Sequence, residues 1–475
     1  MDFVSTRRRE ATAPSRAGAR APQRTALAVI LAVLVLLLLA AEAQAYVPGQ
    51  LIWANRIGTS TSEAGAWAVA AGPNGATAIA GWKIVTNTQV PMVARYTAAG
   101  KRWVRTYTAP GYANDVAIDK AGNVYVAATV NPAAGGEIVV LKYDAAGVLK
   151  WATTPYNGGG GPDSAREIAV DGAGNVVVAG TSVAGGTNTG IVVLKYDWDG
   201  ASAWAAPGGF YPSSDPDAGD CHLEDLALGA TGDIYVAGSS EHLVGGVWIE
   251  RARLIKFAGA DGSWANGSTY VPKSAPSGSF ESIAVRGFAV VAVGSIWDPA
   301  GDRPEHALVT KSDLNLAPTT SREWGVGDAT EELFNDVVLD SKGNVYVTGD
   351  QWLDPPSGYD RAVTIKLSPS LGKILWKATY LPTSRDAEGW YVARDSLGSV
   401  FVAGVRENRA GDEDFLTMKY SPTGARKWLR TWSGGGPDDD EPNGMVLGTK
   451  GGVYVGGQPT GKGDISQAAL LKYQR

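Results

Sequence analysis

One seven-residue string recurs eight times along this 475-residue chain, and that recurrence constrains the fold more than any other feature of the sequence. The copies are GATAIAG from Gly75, GNVYVAA from Gly122, GNVVVAG from Gly174, GDIYVAG from Gly232, FAVVAVG from Phe288, GNVYVTG from Gly343, GSVFVAG from Gly398 and GGVYVGG from Gly451. They end at 81, 128, 180, 238, 294, 349, 404 and 457, so the repeat is too long for one coil of a tight solenoid. A basic residue follows each copy: Arg95, Lys142, Lys195, Lys256, Lys311, Lys366, Lys419 and Lys472. A tryptophan comes next, at Trp103, Trp151, Trp204, Trp264, Trp324, Trp376 and Trp428. The eighth copy ends at Arg475 without one, and its missing tryptophan is Trp53, in QLIWANRIG near the start.

Each repeat reads as four short strands. In the second, DVAID, VYVAATV, EIVVLKY and VLKWATTPY are separated by KAGN, a loop and DAAG, turns whose Gly and Asn supply the positive φ of tight hairpins. Gly numbers 61, roughly 13% against the usual ~7%, which suits many such turns. Strands such as IVVL and VYVA are apolar on both faces, as strands sandwiched between neighbouring sheets are. The expectation is therefore an all-β fold, a single eight-bladed β-propeller over residues 46–475 with four antiparallel strands per blade. The N-terminal strand completes the last blade and closes the ring. The eight tryptophans, Trp53 included, read as packing between blades at one register.

The string GNVYVAA followed by IVVLKYDAAGVLKW resembles the bacterial SBBP-type β-propeller repeats, and the likeness covers essentially residues 50–475. The resemblance implies a propeller of an exported or cell-surface protein and implies no particular activity. DAAGVLKW, with Gly147 four residues before Trp151, is also similar to the tryptophan-docking motif of quinoprotein dehydrogenase propellers. That likeness would imply a pyrroloquinoline quinone enzyme with calcium and an adjacent-cysteine disulfide. A chain with one cysteine cannot make that disulfide.

Residues 1–25 hold six arginines, an apolar run spans 26–41, and Ala43-Gln44-Ala45 gives an A-x-A site. Residues 1–45 are read as a secretory signal peptide, with an uncleaved N-terminal membrane anchor as the alternative. Removing them takes 42 basic and 48 acidic residues to 36 and 45, a net charge near −9, which disfavours nucleic acid. Any membrane contact would run through that N-terminal helix, and the lone Cys221 leaves the core to hold the fold without an intrachain disulfide.

Thirteen positions before the end of the repeated string stands an acid in five copies: Asp115, Glu167, Asp225, Glu281 and Asp336. Tyr391, Gly444 and Ala68 take that place in the others. The position opens the innermost strand, so the five carboxylates are candidates for an asymmetric channel mouth that prefers cationic ligands or a metal. The plainer alternative pairs each with a repeat lysine or with a neighbouring loop. Asp438, Asp439, Asp440 and Glu441 form a second acidic cluster, the weak candidates for Ca²⁺, without the spacing of a calcium loop. Cys221 and His222 alternate faces of a strand and make no catalytic dyad. Neither His222, His242 nor His306 sits at zinc-ligand spacing, so no zinc site is expected. Trp67, Trp248, Trp297, Trp352 and Trp390 lie near loops, where an aromatic platform for sugars would stand.

The functional expectation is an exported, non-catalytic, monomeric module that recognises a protein or glycan ligand at the cell surface or outside the cell. The binding loops would be Ala205–Leu223, Ser239–Arg251, Trp297–Glu305 and Gln351–Asp360. A quinoprotein-like or lyase-type propeller enzyme and a structural cell-envelope spacer remain the alternatives.

Overall fold

Alternating strands and glycine turns fold as that pattern requires, into eight four-stranded antiparallel sheets. The computed structural model describes residues 47–475 except 160, 184–187, 205–208, 212–217, 273–275, 300–304, 325–330, 354–357 and 384. The segment read as a signal peptide or anchor, and parts of three of the long loops, lie outside the described residues. Pro48–Arg475 is one compact unit.

Strands are lettered a to d from the centre of the ring outward. Blade one comprises Ala64–Ala71, Thr77–Val85, Thr88–Tyr96 and Arg102–Thr106, and blade two Gly111–Ile118, Val124–Val130, Glu137–Tyr143 and Leu149–Ala152. The a strands of blades three to eight are Asp163–Val170, Ala218–Leu228, Ser277–Arg286, Glu332–Leu339, Ala387–Arg394 and Glu441–Leu447. Blade eight is completed as expected: Leu51–Ile57 pairs antiparallel with Ala468–Gln474, with Trp53 opposite Lys472.

Because b and c strands are apolar on both faces, each seam between consecutive blades holds its own buried cluster. The seam of blades one and two joins Ala80 and Val93 to Val116, Val126 and Leu141. The seam that closes the ring joins Tyr454, Ala468 and Leu470 of blade eight to Ile79, Met92 and Ala94 of blade one. Backbone pairing and apolar burial therefore close the circle at the same place.

The repeat lysine and tryptophan act together at these seams. Lys142 Nζ and Trp151 Nε1 both donate to the Trp198 carbonyl in the next blade, at 2.6 and 3.1 Å. Lys195 and Trp204 converge likewise on the Gly259 carbonyl, and Lys472 and Trp53 on that of Ala98. Each docked indole lies flat on a turn glycine of the next blade. Gly147, at φ +84°, would place an added Cβ 2.8 Å from the Trp103 ring.

Six tryptophans dock in this way: Trp53, Trp103, Trp151, Trp204, Trp376 and Trp428. The expectation of eight at one register is corrected for Trp264 and Trp324. In blade four Asn266 stands opposite Lys256, the position the tryptophan takes elsewhere, and Trp264 is displaced onto Phe257, 54% exposed and edge-on to Tyr211. In blade five Thr320 takes that position, and Trp324 packs further along against Phe334. The receiving turns differ too. Leu316 and Leu371, at φ 61° and 59°, replace the glycine and bury their side chains in the seams.

Candidate functional site

All eight a strands carry the same irregularity. Pairing of strand a with strand b slips by one residue between Ala66 and Ala68, between Ala113 and Asp115, and at the corresponding point of every other blade. Each slip is a β-bulge that frees one residue from the ladder. The freed residues, blade by blade, are Trp67, Asn114, Arg166, Glu224, Glu281, Asn335, Trp390 and Asn443. They form a ring around a central cavity of about 920 Å³. The residues just after the bulges form a second ring: Ala68, Asp115, Glu167, Asp225, Ser282, Asp336, Tyr391 and Gly444.

Four of the five sequence candidates, Asp115, Glu167, Asp225 and Asp336, fall in the second ring. Glu281 does not. The first hairpin of blade five is one residue shorter than in its neighbours, because Arg286 pairs directly with Ala289 around a two-residue turn. Counting back from the repeated string therefore overshoots by one there. Ser282 is the true equivalent of Asp115, and Glu281 lies in the bulge ring beside Glu224.

The repeat lysines do not pair with the ring carboxylates, since they are engaged at the outer seams. Backbone amides take their place. Asp115 accepts from Val116 N at 2.7 Å and from Ile168 N of the next blade at 2.9 Å. Asp225 accepts from Leu226 N and Ile283 N, and Asp336 from Val337 N and Val392 N, while the Ser282 hydroxyl lies 2.9 Å from one carboxyl and 3.0 Å from the other and donates its one proton to either. The three aspartates thus stitch blade two to three, four to five and six to seven. Glu167 has no such backbone donor among the described residues. Burial pushes its carboxyl well above the usual range, and the carboxylates of Asp115 and Asp225 add to the effect. Hydrogen bonding between the two carboxyls works to raise Glu167 further and to lower Asp115.

Ten carboxyls line the cavity against one guanidinium among the described residues. Arg166, the one cation, is already paired with Glu224. Glu331, Asp350, Asp360 and Glu388 add charge in blades six and seven from positions off the repeat register. Burial, then Glu388, Asp360 and Glu305, raise Asp350 to about 8. Burial, then Glu388, Asp386 and Glu331, raise Asp360 to about 6. Asp336 is raised to about 7, by burial first and then by Asp225, against the hydrogen bonds that favour its charged form. Such shifts mark negative charge that no protein cation offsets.

Aromatics line the cavity alongside these acids. Trp67, Trp390, Trp352 and Tyr391 line the cavity in blades one, six and seven, with Trp67 edge-on to Tyr112 at 5.0 Å and Trp390 Nε1 donating to Glu388 at 2.8 Å. Trp297 borders a smaller cavity at blade five, and Trp248 is half-exposed on blade four, so the five loop aromatics do not form one platform.

The acidic cluster at 438–441 does not converge. Asp440 is buried and accepts from Gly434 N and Thr460 N, Asp439 accepts from Glu413 N, Asp438 is exposed, and Glu441 opens an a strand. Cys221 is a packed core thiol, pushed up to about 11 by burial, as its place on the opposite face from His222 requires. His222 meets Glu241 and Glu250, a grouping that residue spacing missed because three separate strands supply it.

No family model and no curated protein matches the chain. Among solved structures, the polysaccharide lyase Uly1 is similar over 76% of this chain and 89% of its own, at 9% identity and a TM-score of 0.45. The β-propeller domain of the Trilobed protease from Pyrococcus furiosus is similar over 80% and 96%, at 10% identity and 0.44. The WD40 domain of SCAP from fission yeast is similar over 89% and 98%, at 9% identity and 0.45.

Proposed function

We propose that this protein is an exported recognition module whose central cavity binds a ligand through a cationic group, an ammonium or a guanidinium. One observation carries the reading: ten carboxyls, three tryptophans and a tyrosine line a single cavity whose one cation among the described residues is already paired. A cation held there gains Coulomb attraction from the acidic side and cation–π attraction from the indole faces, worth about 0.5–2 kcal/mol per aromatic contact. The same field repels polyanions such as nucleic acid or sulfated and uronic polysaccharides. The likeness of the repeats to SBBP-type propellers and the leader read in residues 1–45 support an exported setting.

Calorimetric titration with spermidine and with a short lysine- and arginine-rich peptide tests the reading. Binding should weaken with added salt, and Glu388→Gln and Trp390→Ala should each lower affinity about tenfold, roughly the 1.4 kcal/mol of one lost contact. Absence of binding, or affinities unmoved by both substitutions, would overturn it.

A further inference from the structure

Three strands of blade four bring metal-ligating side chains together beside the bulge ring, two residues along strand a from Glu224. His222 on strand a stands opposite Ser239 on strand b, and Glu241, two residues on, stands opposite Glu250 on strand c. Opposed residues share a face, and so do residues two apart, so all four side chains project to one side of the sheet. It is the side on which Ala237 and Leu254 pack against Phe280 and Ile283 of blade five. One donor atom from each of His222, Glu241 and Glu250 lies within 4.8 Å of the other two, with His222 Nε2 3.8 Å from Glu241 Oε1.

Two further observations point to a ligand at this group. Glu241 and Glu250 are like charges directly across a ladder, an arrangement that costs stability, and no described lysine or arginine pairs with either. His222 Nε2 is shut off from solvent with no hydrogen-bond partner, although the ring as a whole is 45% exposed. The carboxylates are meanwhile oriented from behind. The Ser239 hydroxyl donates to Glu250 Oε2 at 2.9 Å, and Asp220 N to Glu241 Oε2 at 3.2 Å. Ligating carboxylates are typically held by such outer contacts.

We propose that His222, Glu241 and Glu250 bind one divalent transition-metal ion. One imidazole and two carboxylates are a borderline donor set that suits Zn²⁺ and its neighbours better than Ca²⁺, which takes six to eight oxygens. Ligands of a tetrahedral Zn²⁺ stand about 3.4 Å apart, so the site closes with side-chain shifts of about an ångström. His222 and Glu250 border a cavity of about 350 Å³ at the seam, with Ser279, Glu281 and Trp297 of blade five on its other side, from which a further ligand could reach the ion. The site is independent of the cation-binding reading of the central cavity.

Equilibrium dialysis of the whole chain against ZnCl₂, with and without excess CaCl₂, tests it. One Zn²⁺ per chain should bind, and Ca²⁺ should not displace it. His222→Ala and Glu250→Gln should each weaken Zn²⁺ binding at least about tenfold. The amide carbonyl of Glu250→Gln keeps an acceptor for the Ser239 hydroxyl, and an unchanged near-ultraviolet dichroism spectrum would show that both variants fold. Lack of stoichiometric Zn²⁺ binding by the parent chain, displacement by Ca²⁺, or an affinity unmoved in both folded variants would overturn the proposal.

Discussion

At the scale of single residues, what a channel-facing carboxylate does depends on the donors it meets. Asp336 accepts two backbone N–H groups from two blades, one on each oxygen. In Asp336→Asn one of those oxygens becomes a donor and leaves an N–H unsatisfied at the seam. The expected loss is about 1–3 kcal/mol, read by urea unfolding. Gly147→Ala meets two penalties at once, a left-handed backbone and the Trp103 ring 2.8 Å from the new Cβ. It should cost about 1–3 kcal/mol in the same assay. Asp115, Asp225 and Asp336 were legible in the sequence as residues of the innermost strand, but not as stitches, because their partners lie 53 to 58 residues away. Glu281 was misplaced by one register because a hairpin shortened by one residue marks the repeated string only as Phe288 in place of the opening glycine.

At the scale of the strand, short apolar runs between glycine turns made the four strands of a blade readable, as well as the join that closes the ring. The a-strand bulges were hidden. A residue freed from the ladder looks in sequence like any other polar or aromatic strand position, so the bulge ring was not legible and its tryptophans, Trp67 and Trp390, read only as aromatics near loops. Docking failed at Trp264 and Trp324 for a similar reason: a tryptophan a few positions off register is indistinguishable from a docked one until the ladder is known. Leu51–Ile57 is the outermost strand of blade eight. Deleting residues 46–57 leaves the edge of Ala468–Gln474 unpaired, open to another chain. Thermal unfolding should then begin roughly 5 °C lower, and sedimentation should show association that the intact chain lacks.

At the scale of the whole molecule, buried carboxyls set how stability responds to pH. Asp225 and Asp360 are raised to about 6, Asp336 and Glu413 to about 7 and Asp350 to about 8, each by burial first. A raised carboxyl binds its proton more tightly folded than unfolded. Its stabilisation is complete below about 4 and is lost as pH rises through 6–8. Asp171 and Asp340 run the other way. Despite burial, the amides of Asn175 and Asn344 hold them below the usual value, and they lose stabilisation as pH falls below about 4. The melting temperature should therefore peak near pH 4 and decline toward pH 8, while affinity for a cationic ligand rises over the same interval with release of protons. The bulge ring also separates two burdens that most binding surfaces carry together. Its eight positions take no part in strand pairing, so their side chains can change with little effect on the ladder that holds each blade. A library varied at residues 67, 114, 166, 224, 281, 335, 390 and 443 would sample ligand preference around a full circle on an unaltered scaffold.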